Sequence, residues 1–169
     1  MRYEELVISL KDGRRCLFRS PGAEDGAAML AYLRQTAEET HFMVRFPEEI
    51  RTTEEEEEAF LEERLRPDVR GVMITAFVDG VLAGSVSVNS VGERRKLAHR
   101  ATVGIAVLRP YWGLGLGRKL MEAALDAAAE MGFSQVELGV FSDNETAIRL
   151  YESLGFAVWG RVPMAFRLG

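Results

Sequence analysis

The stretch Val103–Leu120, VGIAVLRPYWGLGLGRKL, decides the fold, because its character changes twice within a few residues. Its apolar start predicts a strand over 100–108. Three glycines on alternate positions, Gly113, Gly115 and Gly117, then predict a loop, and an apolar period of 3.6 residues after them predicts a helix. A loop that opens into a helix presents unpaired N–H groups, so this stretch predicts a site for a phosphate or pyrophosphate.

Two common phosphate-binding motifs do not fit this loop. The P-loop needs a hydroxyl residue after its lysine, but Leu120 follows Lys119. The dinucleotide fingerprint needs a third glycine where Arg118 stands, and Glu137, at the spacing of its ribose-binding acid, falls inside a predicted strand. The loop therefore belongs to a different class of phosphate site.

Composition narrows the function further. With 169 residues, 47% of them hydrophobic, the chain predicts a single domain over 1–169 with a sizeable core. A net charge of −5 argues against nucleic-acid binding, and the short basic run 94–96 is interpreted as a solvated loop.

The single cysteine, Cys16, excludes an internal disulfide and an all-cysteine metal site, and we expect no metal. The sequence shows no leader and no long apolar run, so we expect a cytoplasmic protein that does not bind membranes.

The element order predicted along the chain is β-β-α-α-β-β-β-α-β-α-β. Asp12-Gly13 and Asp79-Gly80 predict two hairpins, because Asp-Gly is a favoured two-residue turn. The predicted strands cover 6–8, 16–18, 72–78, 81–88, 100–108, 135–141 and 158–162. The pattern indicates one mixed α/β sheet flanked by helices.

Local signals place the helices. The first is predicted from about Ala23 to residues 38–41, with Met29, Leu30 and Leu33 on its buried face. Capping boxes are predicted at Thr53 with Glu56 and at Ser142 with Glu145. An inward stripe is predicted for the second helix at Phe60, Leu61 and Leu65, and its glutamate run 54–58 is interpreted as a solvated first turn.

A second motif lies at 144–156, NETAIRLYESLGF. Together with the glycine loop, it resembles the GCN5-related N-acetyltransferases (GNAT), which carry N-x-x-A-x-x-L-Y-x-x-x-G-F at this place and Arg/Gln-x-x-Gly-x-Gly/Ala in the loop. The two motifs and the element order cover most of residues 70–160. The resemblance implies a mixed, mostly antiparallel sheet of the GNAT type and an acetyl-CoA-dependent transfer to an amine of a small molecule or protein.

The resemblance also implies a cofactor site. Backbone groups of Ile105, Ala106 and Val107 would pair with the pantetheine arm of acetyl-CoA, and Asn144 would bond to it. The N–H groups that would hold the pyrophosphate belong to Trp112, Gly113, Leu114, Gly115, Leu116, Gly117 and Arg118. Trp112 stands where the family has arginine or glutamine, so one charged contact to the cofactor is absent.

For the chemistry, the resemblance implies that Tyr151 protonates the leaving thiolate as general acid, which suits a phenol that stays protonated at neutral pH. Val107 N–H would stabilise the oxyanion. Glu39 is the predicted base, at the end of the first helix, and Glu38, His41 and His99 remain alternatives. Taken alone, Tyr151 could be a core tyrosine and Asn144 a helix-start residue.

The competing hypotheses are a non-catalytic acyl-CoA-binding or regulatory domain on the same fold and a nucleotide-binding module whose motifs are absent. Family members continue with a further strand past the last one predicted here. Since the chain ends at Gly169, we expect an exposed sheet edge that a second copy would cover in a homodimer.

Overall fold

The computed structural model describes residues 1–168, which form a six-stranded sheet in the order β1-β2-β3-β4-β5-β6. The strands are β1 Leu6–Ser9, β2 Arg15–Arg19, β3 Gly71–Val78, β4 Val81–Ser90, β5 Arg100–Val107 and β6 Gln135–Glu137. The helices are α1 Gly26–Glu39, α2 Glu54–Arg64, α3 Leu116–Glu130 and α4 Glu145–Ser153. All neighbouring strands are antiparallel except β5 and β6, which are parallel. This confirms the predicted mixed, mostly antiparallel sheet.

The two predicted hairpins form, with different turns. At Asp79-Gly80 both residues have positive φ, 49° and 79°, as a two-residue type I′ turn requires. At the first hairpin Leu10 N donates to Arg14 O and Gly13 N donates to Leu10 O, so residues 11–13 form a three-residue loop with Gly13 left-handed. The prediction of a two-residue turn there was wrong by one residue.

Side chains from alternate strand positions build two cores. On one face, α3 packs on β3, β4 and β5 through fully buried side chains such as Leu120, Met121, Ile74 and Val86. Leu150 and Tyr151 of α4 pack against the same core. On the other face, α1 and α2 cover a smaller core of Met29, Tyr32, Leu61, Leu82 and Leu108. The sheet therefore separates an α3–α4 face from an α1–α2 face.

Helix α2 begins with the predicted capping box, in which Thr53 Oγ1 accepts from Glu56 N and Glu56 Oε2 accepts from Thr53 N. Its inward stripe is narrower than predicted. Leu61 is fully buried, but Phe60 is 46% exposed, so its placement on the inward stripe was wrong. The reason is geometric, since adjacent helical residues point about 100° apart and Leu61 takes the core position.

The end of the chain departs from the prediction. No strand forms at 158–162 within the described residues, and β6 is three residues long rather than seven. The side chains of Val158, Trp159 and Val162 are 68%, 86% and 77% exposed, because no strand of the sheet pairs with this segment. The prediction of a final strand there was wrong, and β6 remains an edge of the sheet.

Candidate acetyl-CoA and acyl-transfer site

The glycine loop before α3 has a backbone that requires glycine at two positions. Gly113 and Gly115 have φ of 75° and 80°, a left-handed conformation that costs other residues about 1–2 kcal/mol. Gly115 is also the residue before the first turn of α3, and no side chain caps that turn. The loop thus brings an uncapped helix start to the surface.

A run of backbone donors is left free by this conformation. Trp112 N donates to Arg109 O, and Lys119 N donates to Gly115 O, 3.2 Å away. Between them, the N–H groups of residues 113–118 donate to no backbone or side-chain acceptor in residues 1–168. Six consecutive free N–H groups at the positive end of a helix form a site for a polyanion such as pyrophosphate.

The hairpin between β1 and β2 adds a cation to the loop. Lys11 N donates to Leu114 O at 3.1 Å, and a Cβ at Gly115 would lie 3.4 Å from Lys11 Cε. Lys11 therefore packs against the loop from a position about a hundred residues away in sequence. No sequence motif identifies Lys11 as a neighbour of the loop, and its position follows only from the tertiary fold.

The edge of β5 is open next to the loop. The parallel ladder with β6 ends at Thr102 and Glu137, and no strand pairs with residues 103–107 on that side. Leu108 N donates to Ala83 O of β4, and backbone groups of alternate residues point to opposite sides of a strand. Ile105 and Val107 consequently face the gap, where an extended ligand can pair with them.

Ala106 lies differently from its two neighbours. Its carbonyl points to the β4 side and accepts a hydrogen bond from the hydroxyl of the buried Tyr32 at 2.8 Å. The bond ties α1 to β5. Of the three strand residues predicted to meet the cofactor, Ile105 and Val107 present backbone groups to the gap and Ala106 presents its backbone groups elsewhere.

The gap between β5 and β6 is closed at its base by an ion pair. Arg100 donates through two nitrogens to the carboxylate of Glu137, and this hydrogen bonding lowers the pKa of Glu137. Beyond the pair lies a cavity of about 290 Å³. It is lined by Thr102, Val103, Glu137, Leu138, Gly139 and Trp159. The strands separate from this point toward the glycine loop.

Trp112 stands where the family has arginine or glutamine, and its side chain makes a different contact. Its indole Nε1 donates to Val107 O at 2.7 Å, and the Arg109 guanidinium lies 5.3 Å from its ring centroid. The side chain thereby fixes the end of β5 to the loop. It also occupies the carbonyl of Val107, and leaves the N–H of that residue facing the gap.

Tyr151 lies on α4, beside the core that α3 covers. Its ring meets Phe156 edge-on, with centroids 5.9 Å apart, and its hydroxyl has no hydrogen-bond partner in the described part of the chain. Burial raises the pKa of Tyr151, so the hydroxyl keeps its proton at neutral pH. The residue can therefore donate to an incoming group.

Asn144 begins α4. Its Oδ1 accepts from Ala147 N at 3.3 Å, so the helix-start role that the sequence allowed is present in the structure. The predicted capping box of Ser142 with Glu145 was wrong, since the chain enters the helix two residues later. Gly117 also faces this helix, and a Cβ there would meet Leu150 at 3.7 Å. Arg118 spans the same two helices by donating to Ser153 Oγ.

The predicted bases have distinct environments. Both oxygens of Glu39 accept hydrogen bonds, Oε2 from Arg109 N at 2.7 Å and Oε1 from Gln35 Nε2 at 2.8 Å. His41 Nε2 lies 2.9 Å from Asp143 Oδ2, in the segment that precedes α4. The structure therefore brings the end of α1 to both sides of the gap, through Glu39 and through His41.

The other two alternatives are outside these contacts. Glu38 and His99 are exposed, and neither side chain makes a hydrogen bond within residues 1–168. His99 lies before β5, at the end of the sheet away from the glycine loop.

The family model of the acetyltransferase (GNAT) family matches residues 28–156, so the chain belongs to this family. A crystal structure of a GNAT acetyltransferase from Streptococcus pneumoniae superposes with a TM-score of 0.79 at 31% identity over 86% of each chain. A protein from Salmonella typhimurium, solved with its cofactor acetyl-CoA, has a TM-score of 0.76 at 24% identity, covering 90% of this chain and 86% of that one. These matches confirm the predicted fold.

Among curated relatives, the L-amino acid N-acyltransferase MnaT of Escherichia coli is 31% identical over 85 residues, 50% of this chain and 49% of the relative. The chain spans half or less of the length of the first curated relatives that it matches.

Two general properties complete the description of the site. No helix in residues 1–168 is long and apolar enough to cross a membrane. Over the same residues, no group of three or more histidine, cysteine, aspartate or glutamate side chains could hold a metal ion. Cys16 is fully buried in β2, and burial raises the pKa of its thiol to about 11, so it is a structural residue.

Proposed function

We propose that this chain is an acetyl-CoA-dependent N-acetyltransferase, which transfers the acetyl group to an amine by direct attack in a ternary complex. One observation carries the proposal: the free N–H groups of residues 113–118 lie next to the unpaired edge of β5. A pyrophosphate and an extended amide-bearing arm need these two features side by side. Family membership supports the assignment, and residues 1–169 would act as one domain.

The cofactor would bind along this surface. The loop from Gly113 to Arg118 would hold the pyrophosphate through backbone N–H groups, and Lys11, whose side-chain carbons lie beside Gly115, would add positive charge. The Trp112 N–H, which was predicted to join them, is excluded because it already donates to Arg109 O. Ile105 and Val107 would pair with the pantetheine, and Ala106 would keep their strand in register through its bond to Tyr32. Asn144 would use its amide nitrogen, since its oxygen caps α4.

For the transfer, Tyr151 is the proposed acid, because its hydroxyl is protonated and unpartnered. The Val107 N–H is the proposed oxyanion donor, because Trp112 bonds only to the carbonyl of that residue. No proton transfer needs a metal, and we propose none.

The base is proposed to come from the end of α1. Glu39 is the predicted residue, and its two hydrogen bonds hold the carboxylate in place beside Arg109. His41 is the alternative, because its Nε2 lies 2.9 Å from Asp143 Oδ2 and this contact would orient the ring. Glu39→Gln and His41→Gln distinguish them, since removing the base lowers kcat about 100-fold or more, while the other change has a smaller effect.

The experiment that tests the function follows thiol release from acetyl-CoA with a panel of amino acids, polyamines, aminoglycosides and peptides. Amino acids come first because a relative is named an L-amino acid N-acyltransferase. Tyr151→Phe is expected to lower kcat on the active acceptor about 100- to 10,000-fold, whereas Tyr3→Phe, far from the gap, leaves it unchanged. Turnover that Tyr151→Phe leaves intact would refute the acid role.

A second candidate function is an acyl-CoA-binding domain without catalysis. The observation that favours it is the engagement of both Glu39 oxygens by other groups, together with Trp112 in place of a basic residue. Tight binding of acetyl-CoA with no turnover on any acceptor would establish this function. Turnover on any acceptor of the panel would exclude it.

A homodimer is part of the proposal. β6 is an edge strand, and the apolar residues of 158–168 are largely exposed, with Trp159 at 86% and Met164 at 86%. Light scattering during size-exclusion chromatography is expected to give twice the mass of 18.9 kDa. A mass of one chain at all concentrations would refute it.

A further inference from the structure

The backbone on either side of Val107 is anchored to two different elements of the fold. The peptide before the residue carries Ala106 O, which accepts a hydrogen bond from the buried Tyr32 hydroxyl of α1 at 2.8 Å. The peptide after it carries Leu108 N, which donates to Ala83 O of β4 at 2.8 Å. Each of the two peptides is therefore held at one polar atom by a neighbouring element.

Trp112 supplies a further anchor on the second of these peptides. Its indole Nε1 donates to Val107 O at 2.7 Å, while the N–H of the same peptide, on Leu108, is bonded to β4. Because a peptide group is planar, holding its oxygen and its N–H together fixes its orientation. The one polar atom of the two peptides that still faces the gap beside β5 is Val107 N.

The indole of Trp112 is itself held in place. Its ring is 50% exposed, and the Arg109 guanidinium lies 5.3 Å from the ring centroid. Arg109 is bonded in turn to the end of α1, since its backbone N donates to Glu39 Oε2 at 2.7 Å. An indole also turns about two side-chain bonds only, so holding it loses less conformational entropy than holding an arginine or a glutamine at this position. The ring can therefore keep the Val107 carbonyl in one orientation.

We propose that Trp112 is a positioning residue for the acyl transfer, and that its bond to Val107 O sets the direction in which the Val107 N–H points at the thioester oxygen. The inference rests on the proposed function, because it concerns the same oxyanion donor. Such a donor stabilises the transition state only when its N–H is aimed at the developing charge, and small displacements are costly. Trp112 thus contributes to kcat and not to the affinity for the cofactor.

The kinetic test is Trp112→Phe, which keeps an aromatic ring and removes the Nε1 donor. We expect kcat on the active acceptor to fall about 10-fold, with the Kd of coenzyme A changed less than about twofold. Tyr111→Phe is the matched control. It removes one polar atom from the adjacent aromatic residue, whose hydroxyl makes no hydrogen bond in the described part of the chain, and it should leave both quantities unchanged. An unchanged kcat in Trp112→Phe, or an equal loss of kcat and affinity, would overturn the proposal.

A spectroscopic measurement separates positioning from a general structural role. A hydrogen bond from Val107 N–H lowers the stretching frequency of the thioester carbonyl, which isotope-edited infrared difference spectra of bound acetyl-CoA record without any acceptor. Trp112→Phe should raise this frequency relative to the natural chain, and Tyr111→Phe should not. Equal frequencies in all three proteins would refute the positioning role alone. Failure of the natural chain to bind acetyl-CoA would refute the proposed function and this inference together.

Discussion

Asp25 and Glu57 are both 6% exposed, yet the chain treats them in opposite ways. Asp25 accepts two hydrogen bonds from the Arg19 guanidinium, at 2.7 and 2.8 Å, and one from Gly22 N at 2.8 Å. Glu57 lines a cavity of about 420 Å³ between α1 and α2, and its carboxylate has no such partner in the described residues. The difference teaches that a buried charge is structural where the fold itself satisfies it, as at Asp25, and that Glu57 is left to the water of a cavity instead.

The pKa values of the two carboxyls follow this difference. Burial raises the pKa of Asp25, but the hydrogen bonds from Arg19 and Gly22 outweigh it, so the net direction is down. For Glu57, burial is the main influence and the net direction is up. Four experiments sharpen or break this comparison.

The largest effect is expected from Arg19→Ala. It leaves the Asp25 carboxylate buried and unpaired, and it also removes a contact with the Phe77 ring, 4.3 Å from the Arg19 guanidinium carbon. The free energy of unfolding should fall by about 3–5 kcal/mol, measured by urea denaturation. Arg66→Ala is the control, because its pair with Asp68 is 60% and 65% exposed and contributes less than about 1 kcal/mol. Similar losses in both variants would refute the structural role of Asp25.

The free backbone N–H groups of the glycine loop are hydrogen-bond donors that also lack a partner in the fold. Because coenzyme A would supply that partner only in the folded state, coenzyme A at 100 times its Kd should raise the free energy of unfolding by about 2.7 kcal/mol. Gly117→Pro removes one of these donors in the first helical turn, and it should weaken coenzyme A binding about 10-fold. Gly117→Ala keeps the N–H and should bind as the natural chain does. Equal binding by both variants would exclude Gly117 N–H as a contact.

A smaller effect is expected from Glu57→Gln in the absence of ligand. Glu57 is partly desolvated and has no hydrogen-bond donor in the described residues, so removing its charge should raise the free energy of unfolding at pH 7 by about 1 kcal/mol. Glu55→Gln, exposed on the same helix, should change it by less than about 0.5 kcal/mol. A destabilised Glu57→Gln variant would show that the carboxylate has a stabilising role in the fold, and it would contradict this contrast with Asp25.

The smallest effect lies in the dependence of stability on pH. Asp25, with its lowered pKa, contributes stability that is present above the carboxyl pKa of the unfolded chain, about 4, and is lost as the pH falls below it. Glu57, with its raised pKa, contributes stability that is present at low pH and is lost as the pH rises through its folded-state pKa. Asp25→Asn should therefore reduce the loss of stability at acidic pH, and Glu57→Gln should reduce the loss of stability as the pH rises. Denaturation midpoints measured from pH 3 to pH 7 check this, and a pH dependence of stability that is unchanged in both variants would contradict it.

Local patterns predicted much of the α3–α4 face. The glycine loop, the helix after it and the Asn144–Phe156 motif lie close together in sequence, so spacing alone places their backbone. The Asp79-Gly80 turn and the Thr53–Glu56 capping box were also predictable, because each depends on residues within three positions. Such features need no knowledge of distant contacts.

Long-range contacts account for what the sequence could not predict. Lys11 reaches Gly115, and Arg19 reaches Asp25 with Phe77, only after strands and helices have packed. Within Glu54–Glu58, the five side chains have the same composition, so the buried one is distinguished only by the position of the helix on the sheet. The strand predicted at 158–162 has suitable residues, but pairing depends on a neighbouring edge and not on its own pattern.

The bond from Trp112 to Val107 gives the protein an optical reporter at the β5 edge. The chain contains two tryptophans, Trp112 and Trp159, and Trp159→Phe leaves the indole of Trp112 as the single one. The wavelength of its emission depends on the hydrogen bond of its N–H and on the water around its half-exposed ring. Any molecule that enters the gap beside Val107 changes both, so fluorescence of this variant would record the arrival of a ligand in real time.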